Sequence, residues 1–112
     1  MESKFQYQLS LKAKADLEHI VSYIAINLSN PQATSKFIDK LNNTIDVICS
    51  FQESGSAIDN TFITNENVRM KTIDHYNLYY LPYLEEKMIY VLRILYNKRN
   101  ISEILLQLEF KR

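Results

Sequence analysis

Residues 79–105 read YYLPYLEEKMIYVLRILYNKRNISEIL. Two apolar runs rich in aromatic and β-branched residues flank Glu85 and Glu86, which predicts two strands joined by a tight turn as an antiparallel hairpin. Pro82 has no backbone donor, so an irregularity or a free edge is expected near it. After the second strand, "NISE" forms an Asn-x-x-Glu capping box. Ile101, Ile104, Leu105 and Leu108 then line a short final helix able to dock on the sheet. Plain packing does not account for Arg93, Tyr96, Lys98 and Arg99, which interrupt or follow the second strand.

Upstream, "NVRMKTI" (67–73) predicts another strand before "YNLYYLPYL" (76–84), and "ESGSAIDN" (53–60) is a loop holding the only glycine of the chain. Two amphipathic helices precede the loop. Leu17, Ile20, Val21, Ile24 and Leu28 share one face of the first, with Ser10 as its cap. Asn30 caps the second and Pro31 opens it, where a missing N–H costs nothing. Its stripe is Phe37, Leu41, Ile45, Ile48 and Phe51. A short turn between the two makes a helical hairpin. "KFQYQLS" (4–10) alternates Phe5, Tyr7 and Leu9 with polar residues, the period of a half-buried strand. The order is β-α-α-β-β-β-α, a small α+β domain.

The 112 residues suit a single domain spanning 1–112, and 46% hydrophobic with 23% charged residues is an ordinary globular mix. No apolar run reaches the length of a membrane span, and Lys4 and Gln6 interrupt the N-terminus, so no signal peptide and a cytoplasmic protein are expected. The lone Cys49 predicts a buried, reduced thiol; no cofactor and no metal site are expected. The net charge is zero but uneven. Residues 1–66 carry five lysines against eight acids, a balance of −3, and residues 67–112 carry eight bases against five acids, a balance of +3. A basic C-terminal half predicts an anionic partner there.

The layout, together with "YI…NP…A" across the helical turn, "Y-x-L-x-Y" at Tyr76, Leu78 and Tyr80, and "NKR" after the last strand, resembles the RelE/ParE superfamily. These are the toxins of type II toxin–antitoxin pairs. The resemblance covers residues 5 to 106 and is carried by the order and spacing of its motifs. It implies a helical hairpin packed on one side of a twisted antiparallel sheet of about four strands. It also implies a cognate antitoxin that wraps the toxin, in a toxin–antitoxin heterotetramer, and roles in growth inhibition and plasmid stabilization.

The superfamily divides by target. ParE-like members inhibit DNA gyrase and need a docking surface. RelE-like and YoeB-like members are metal-independent mRNA endoribonucleases acting on the ribosome, and need arginines beside a proton-transfer group. Where the nuclease branch carries Arg after the first Tyr of "Y-R-L-x-Y", this chain has Asn77, an uncharged amide. Where that branch has a basic residue and a Tyr after "KR", this chain has Ile101 and Leu105. A YoeB-like "R-x-H-Y" ending is half met by Arg93 and Tyr96, with Leu95 in place of His. The candidate catalytic set under the nuclease reading is Arg69, Arg93, Tyr96 and Arg99. The candidate target- or antitoxin-binding set is Arg69, Arg93, Lys98 and Arg99. A pI near 6.7 suits ribosome binding poorly, since each phosphate contact draws on positive charge. The resemblance therefore points first to a ParE-like gyrase inhibitor, then to a RelE-like nuclease acting on ribosome-bound mRNA, then to a degenerate toxin that keeps antitoxin binding only.

Simpler roles stand beside these. Tyr76, Tyr80, Tyr90 and Tyr96 at strand spacing read as cross-strand packing partners with wet hydroxyls. Arg93 shares a strand face with Val91 and Leu95 and has Asp74 or Glu103 as a candidate structural partner. Lys98 and Arg99 suit a solvated turn, and Arg69 an edge strand that discourages pairing. His19 reads as a boundary residue of its helix, and His75 falls in a turn.

Overall fold

The hairpin at the centre of the sequence is also the centre of the sheet. In the computed structural model, which describes residues 4–28, 30–58 and 67–97, Tyr76–Tyr83 and Met88–Tyr96 pair antiparallel around a turn at 84–87. The elements run β1 (Gln6–Leu9), α1 (Leu11–Leu28), α2 (Pro31–Ser50), β2 (Ser56–Ala57), β3 (Arg69–Ile73), β4 (Tyr76–Tyr83) and β5 (Met88–Tyr96). The final helix expected over residues 101–108 lies outside the described residues.

The sheet has five strands in the order β1-β5-β4-β3-β2, and β1 runs parallel to β5. This corrects the expectation of an antiparallel sheet of about four strands. The N-terminal strand reaches β5 from far away in sequence, with the helical hairpin intervening, so no tight turn forces an antiparallel pairing. The extra strand, Ser56–Ala57, is only two residues long and carries no periodic signal. Pro82 meets both halves of its expectation. The pairing of β3 with β4 stops at Tyr80, and the β4–β5 ladder slips between Tyr79 and Tyr80.

That slip is a bulge. Tyr79 faces Arg93 and Tyr80 faces Val91, so Leu92 is the extra residue of β5. One extra residue inverts the alternation beyond it. Val91 therefore belongs to the core beneath the helices while Leu95 belongs to the cluster on the opposite face, and they do not share a face as strict period-2 spacing predicted.

The larger core joins Ile20 and Ile24 of α1, Phe37, Leu41, Ile45 and Ile48 of α2, and Leu78, Tyr80, Ile89 and Ile94 of the sheet. Phe51 departs from its predicted stripe. It is the extended C-cap residue of α2 (φ −133°), turned away from the core and 69% exposed. Both helix starts follow the sequence reading. Ser10 Oγ accepts from Ala13 N–H (3.0 Å), and Asn30 Oδ1 accepts from Gln32 N–H (2.9 Å) with Pro31 at the first helical position.

Tyr80 is fully buried, and its hydroxyl is not wet as expected of the strand tyrosines. It accepts from Gly55 N–H (2.9 Å) and donates to Gln52 C=O (2.9 Å), tying the loop after α2 to the middle of the sheet. Tyr80→Phe leaves both backbone groups without that partner, so a loss of about 1–3 kcal/mol is expected in a urea titration. A change below about 0.5 kcal/mol would mean that water replaces the hydroxyl and the tie is not structural.

Candidate functional site

Among the described residues, those singled out in the sequence do not converge. Arg69 lies opposite Tyr80 on β3, and Tyr96 lies opposite Tyr76 on β5. Two strand spacings and four residue steps separate their backbones, roughly 16 Å at regular sheet dimensions. Lys98 and Arg99 lie outside the described residues.

Each described candidate has its own local task. Arg69 donates from Nε to Gly55 C=O (2.9 Å) and from Nη2 to Glu53 C=O (3.1 Å), closing the same loop that Tyr80 holds from beneath. It is a latch and not a free edge charge. Arg93 makes a two-pronged pair with Asp16 of α1, Nε to Oδ2 at 2.7 Å and Nη2 to Oδ1 at 3.0 Å. Both side chains are only 14% exposed. Donation to the Asp16 carboxylate raises the Arg93 pKa above its ordinary value against the opposing effect of burial. Among the described residues the carboxylate partner is thus Asp16, not Asp74. Asp74 instead pairs with Lys40 at 2.7 Å, and Glu103 lies outside the described residues.

Asp16 has a second duty that explains its position. β1 accompanies β5 only from Met88 to Val91. Beyond Val91 that edge of β5 is served by the start of α1. Ser10 Oγ donates to Leu92 C=O (2.8 Å), and Asp16 Oδ2 accepts from Ile94 N–H (3.0 Å). The bulge turns these two backbone groups toward the helix, and two side chains stand in for a missing strand.

Tyr96, 42% exposed, closes one end of an aromatic row. Its ring meets Tyr76 edge-on at 5.8 Å, and Tyr76 meets Phe37 edge-on at 5.5 Å. Burial, with smaller contributions from Tyr23 and Tyr96, pushes the Tyr76 phenol above its usual range. Raising a phenol's pKa leaves less phenolate at neutral pH, the wrong direction for a general base. Asn77 sits on the face away from the helices, 7% exposed, beside Thr72 and Tyr79 (both 3.4 Å). Val68, Tyr79, Leu81, Leu92 and Leu95 form the apolar cluster of that face. Cys49 is buried as expected, and burial followed by nearby Asp46 pushes its thiol up.

The arrangement therefore offers surfaces, held by paired cations, and no convergent set of reacting groups among the described residues. Comparison with known proteins agrees with the architecture. The sequence model described as "ParE toxin of type II toxin-antitoxin system, parDE" matches residues 7–101. The chain belongs to the ParE toxin family.

Two solved structures share its fold. One, from the chromosomal ParDE system of P. aeruginosa, superposes with a TM-score of 0.63 at 18% identity, over 83% of this chain and 96% of that one. The other, from the RelBE2 toxin–antitoxin complex of Mycobacterium tuberculosis, gives 0.58 at 12% identity, over 84% and 99%. No curated protein sequence matches the chain. At these identities the two structures speak for the fold alone, while the family match speaks for membership. No described helix of this ParE-family chain is long and apolar enough to cross a membrane.

Sequence reasoning missed Asp16, Gly55 and Tyr80 as organisers. Asp16 had a readable signal, since it stands one turn before Ile20 at the margin of the apolar stripe of α1. A carboxylate there needs a partner from the element beneath. Gly55 was noted as the only glycine, but what crowds it comes from β3 and β4.

Proposed function

We propose that this ParE-family chain is the toxin of a type II toxin–antitoxin pair, that it arrests growth by inhibiting DNA gyrase, and that a cognate antitoxin neutralises it. It acts in the cytoplasm as one domain over residues 1–112. The observation that carries this reading is the fate of Arg93. The arginine best matched to a nuclease ending is engaged by α1, its guanidinium forked onto Asp16 and both side chains only 14% exposed. Stabilising a phosphate at a cleaved bond asks for a cation free to meet the charge that develops there. Arg69 is likewise occupied by the carbonyls of Glu53 and Gly55. A gyrase inhibitor needs shape and anchoring, which such pairs supply.

The test is label incorporation into DNA and into protein in the minutes after inducing the gene alone in a bacterial host. Loss of DNA synthesis before protein synthesis supports the proposal. Protein synthesis failing first reverses it in favour of cleavage of ribosome-bound mRNA. Neither failing means an inactive relative that keeps antitoxin binding only.

A further inference from the structure

Both helices pack on the sheet face that carries Leu78, Tyr80, Ile89 and Ile94. On the far face Val68, Tyr79, Leu81, Leu92 and Leu95 form a cluster that no described residue of α1 or α2 joins. These five residues are nonetheless only 2–5% exposed. Sheet neighbours screen one another's flanks, but a face turned to water leaves the ends of its side chains wet. The partly buried residues packed around the cluster lie in the sheet or at its margin, so they do not roof it.

The burial is that of a single chain, so its source lies within the chain and not in a second copy or a partner. Two stretches outside the described residues are long enough to supply it, 59–66 and 98–112. The first departs from Ile58 and returns at Asn67, on the β2–β3 side of the sheet, and its apolar residues are Phe62 and Ile63. Leu92 and Leu95 lie on β5, two strand spacings from β3 and roughly 10 Å away. The second stretch departs from β5 itself. Asn97 N–H donates to His75 C=O (2.9 Å), which fixes the chain's exit beside the start of β4. Residues 98–112 would reach about 22 Å as a helix, enough to cross three strands. Ile101, Ile104, Leu105 and Leu108 fall at i, i+3, i+4 and i+7, a stripe suited to an apolar face.

We infer that residues 98–112 fold back across the far face of the sheet and set this stripe on Tyr79, Leu92 and Leu95. The tail is a cover built into the chain. It closes the face that carries Asn77 and Tyr79, so in the free chain neither a nucleic acid nor a protein reaches that surface. The inference goes beyond the proposed function and stands without it.

The test is acetylation of tyrosines by N-acetylimidazole in the full chain, mapped by mass spectrometry. Tyr23, 60% exposed, reports free reactivity, and Tyr80, fully buried beneath the helices, reports an intact core. In the wild type Tyr79 should be as slow as Tyr80. Leu105→Asp places a charge under the cover and should speed Tyr79 about tenfold or more while Tyr80 stays slow. Phe62→Asp should leave Tyr79 as in the wild type. Tyr79 unchanged in Leu105→Asp overturns the inference. Release of Tyr79 by Phe62→Asp alone overturns it as well and assigns the cover to residues 59–66. A wild-type Tyr79 as fast as Tyr23 overturns it by showing the face open. If Leu105→Asp frees Tyr80 too, the variant is unfolded, and a stability cycle of Leu105→Ala with Leu92→Ala decides. Coupling of about threefold or more in the unfolding constant supports contact, and additive losses overturn it.

Discussion

Asp16→Ala is expected to lower the unfolding free energy by about 3–5 kcal/mol, the cost of stranding one member of a buried ion pair. The loss has two sources. The Arg93 guanidinium, only 14% exposed, is left without its forked partner. Ile94 N–H also loses its acceptor at an edge of β5 that no described strand covers. The conservative change separates them. Asp16→Asn keeps an oxygen for Ile94 N–H and loses the charge, so it should cost clearly less than alanine. Chemical denaturation of the three proteins decides the matter. A loss under about 1 kcal/mol for alanine would mean that the pair is dispensable, and Arg93 would again be a candidate for contact with a phosphate. The effect bears on function, because a variant of Arg93 that abolishes growth arrest by unfolding says nothing about catalysis. Growth assays on Arg93 variants should therefore be read beside their stability.

The second large effect is expected at Gly55. A Cβ there would lie 2.7 Å from Met70 C=O and 2.7 Å from the Tyr80 hydroxyl, with the Tyr80 ring at 2.9 Å. Two of these three contacts are to a ring fixed in the core and one is to the backbone of β3, so neither neighbour yields cheaply. Gly55→Ala should cost about 1–3 kcal/mol through overpacking, and Gly55→Val more. The chain must move away from Tyr80, which breaks the Gly55 N–H bond and disturbs the carbonyl that Arg69 Nε grips. Thermal unfolding measures the loss. A melting temperature unchanged in Gly55→Ala would show that the loop shifts freely, and that Tyr80 and Arg69 do not fasten it.

Local chemistry wrote much of this protein directly into its sequence. The helix starts at Ser10 and Asn30, the turn around Glu85 and Glu86, the three C-terminal strands and the core stripe of α2 up to Ile48 were legible, because each depends on residues within a few positions of one another. The resemblance to a toxin superfamily was legible too, since order and spacing of motifs survive when individual residues do not. The direction of β1, the bulge at Leu92 and the true partner of Arg93 were not. Asp16 and Arg93 are 77 residues apart, and they meet only because β1 ends at Leu9 and leaves α1 to finish the edge of β5. A period-2 pattern cannot announce an inserted residue, since a bulge is set by how two strands fit together, and it reverses every face beyond it. Sequence chose which segments would be strands and helices. Tertiary packing alone decided which arginines were left free to act, because a guanidinium's availability depends on the carboxylates and carbonyls that folding brings to it.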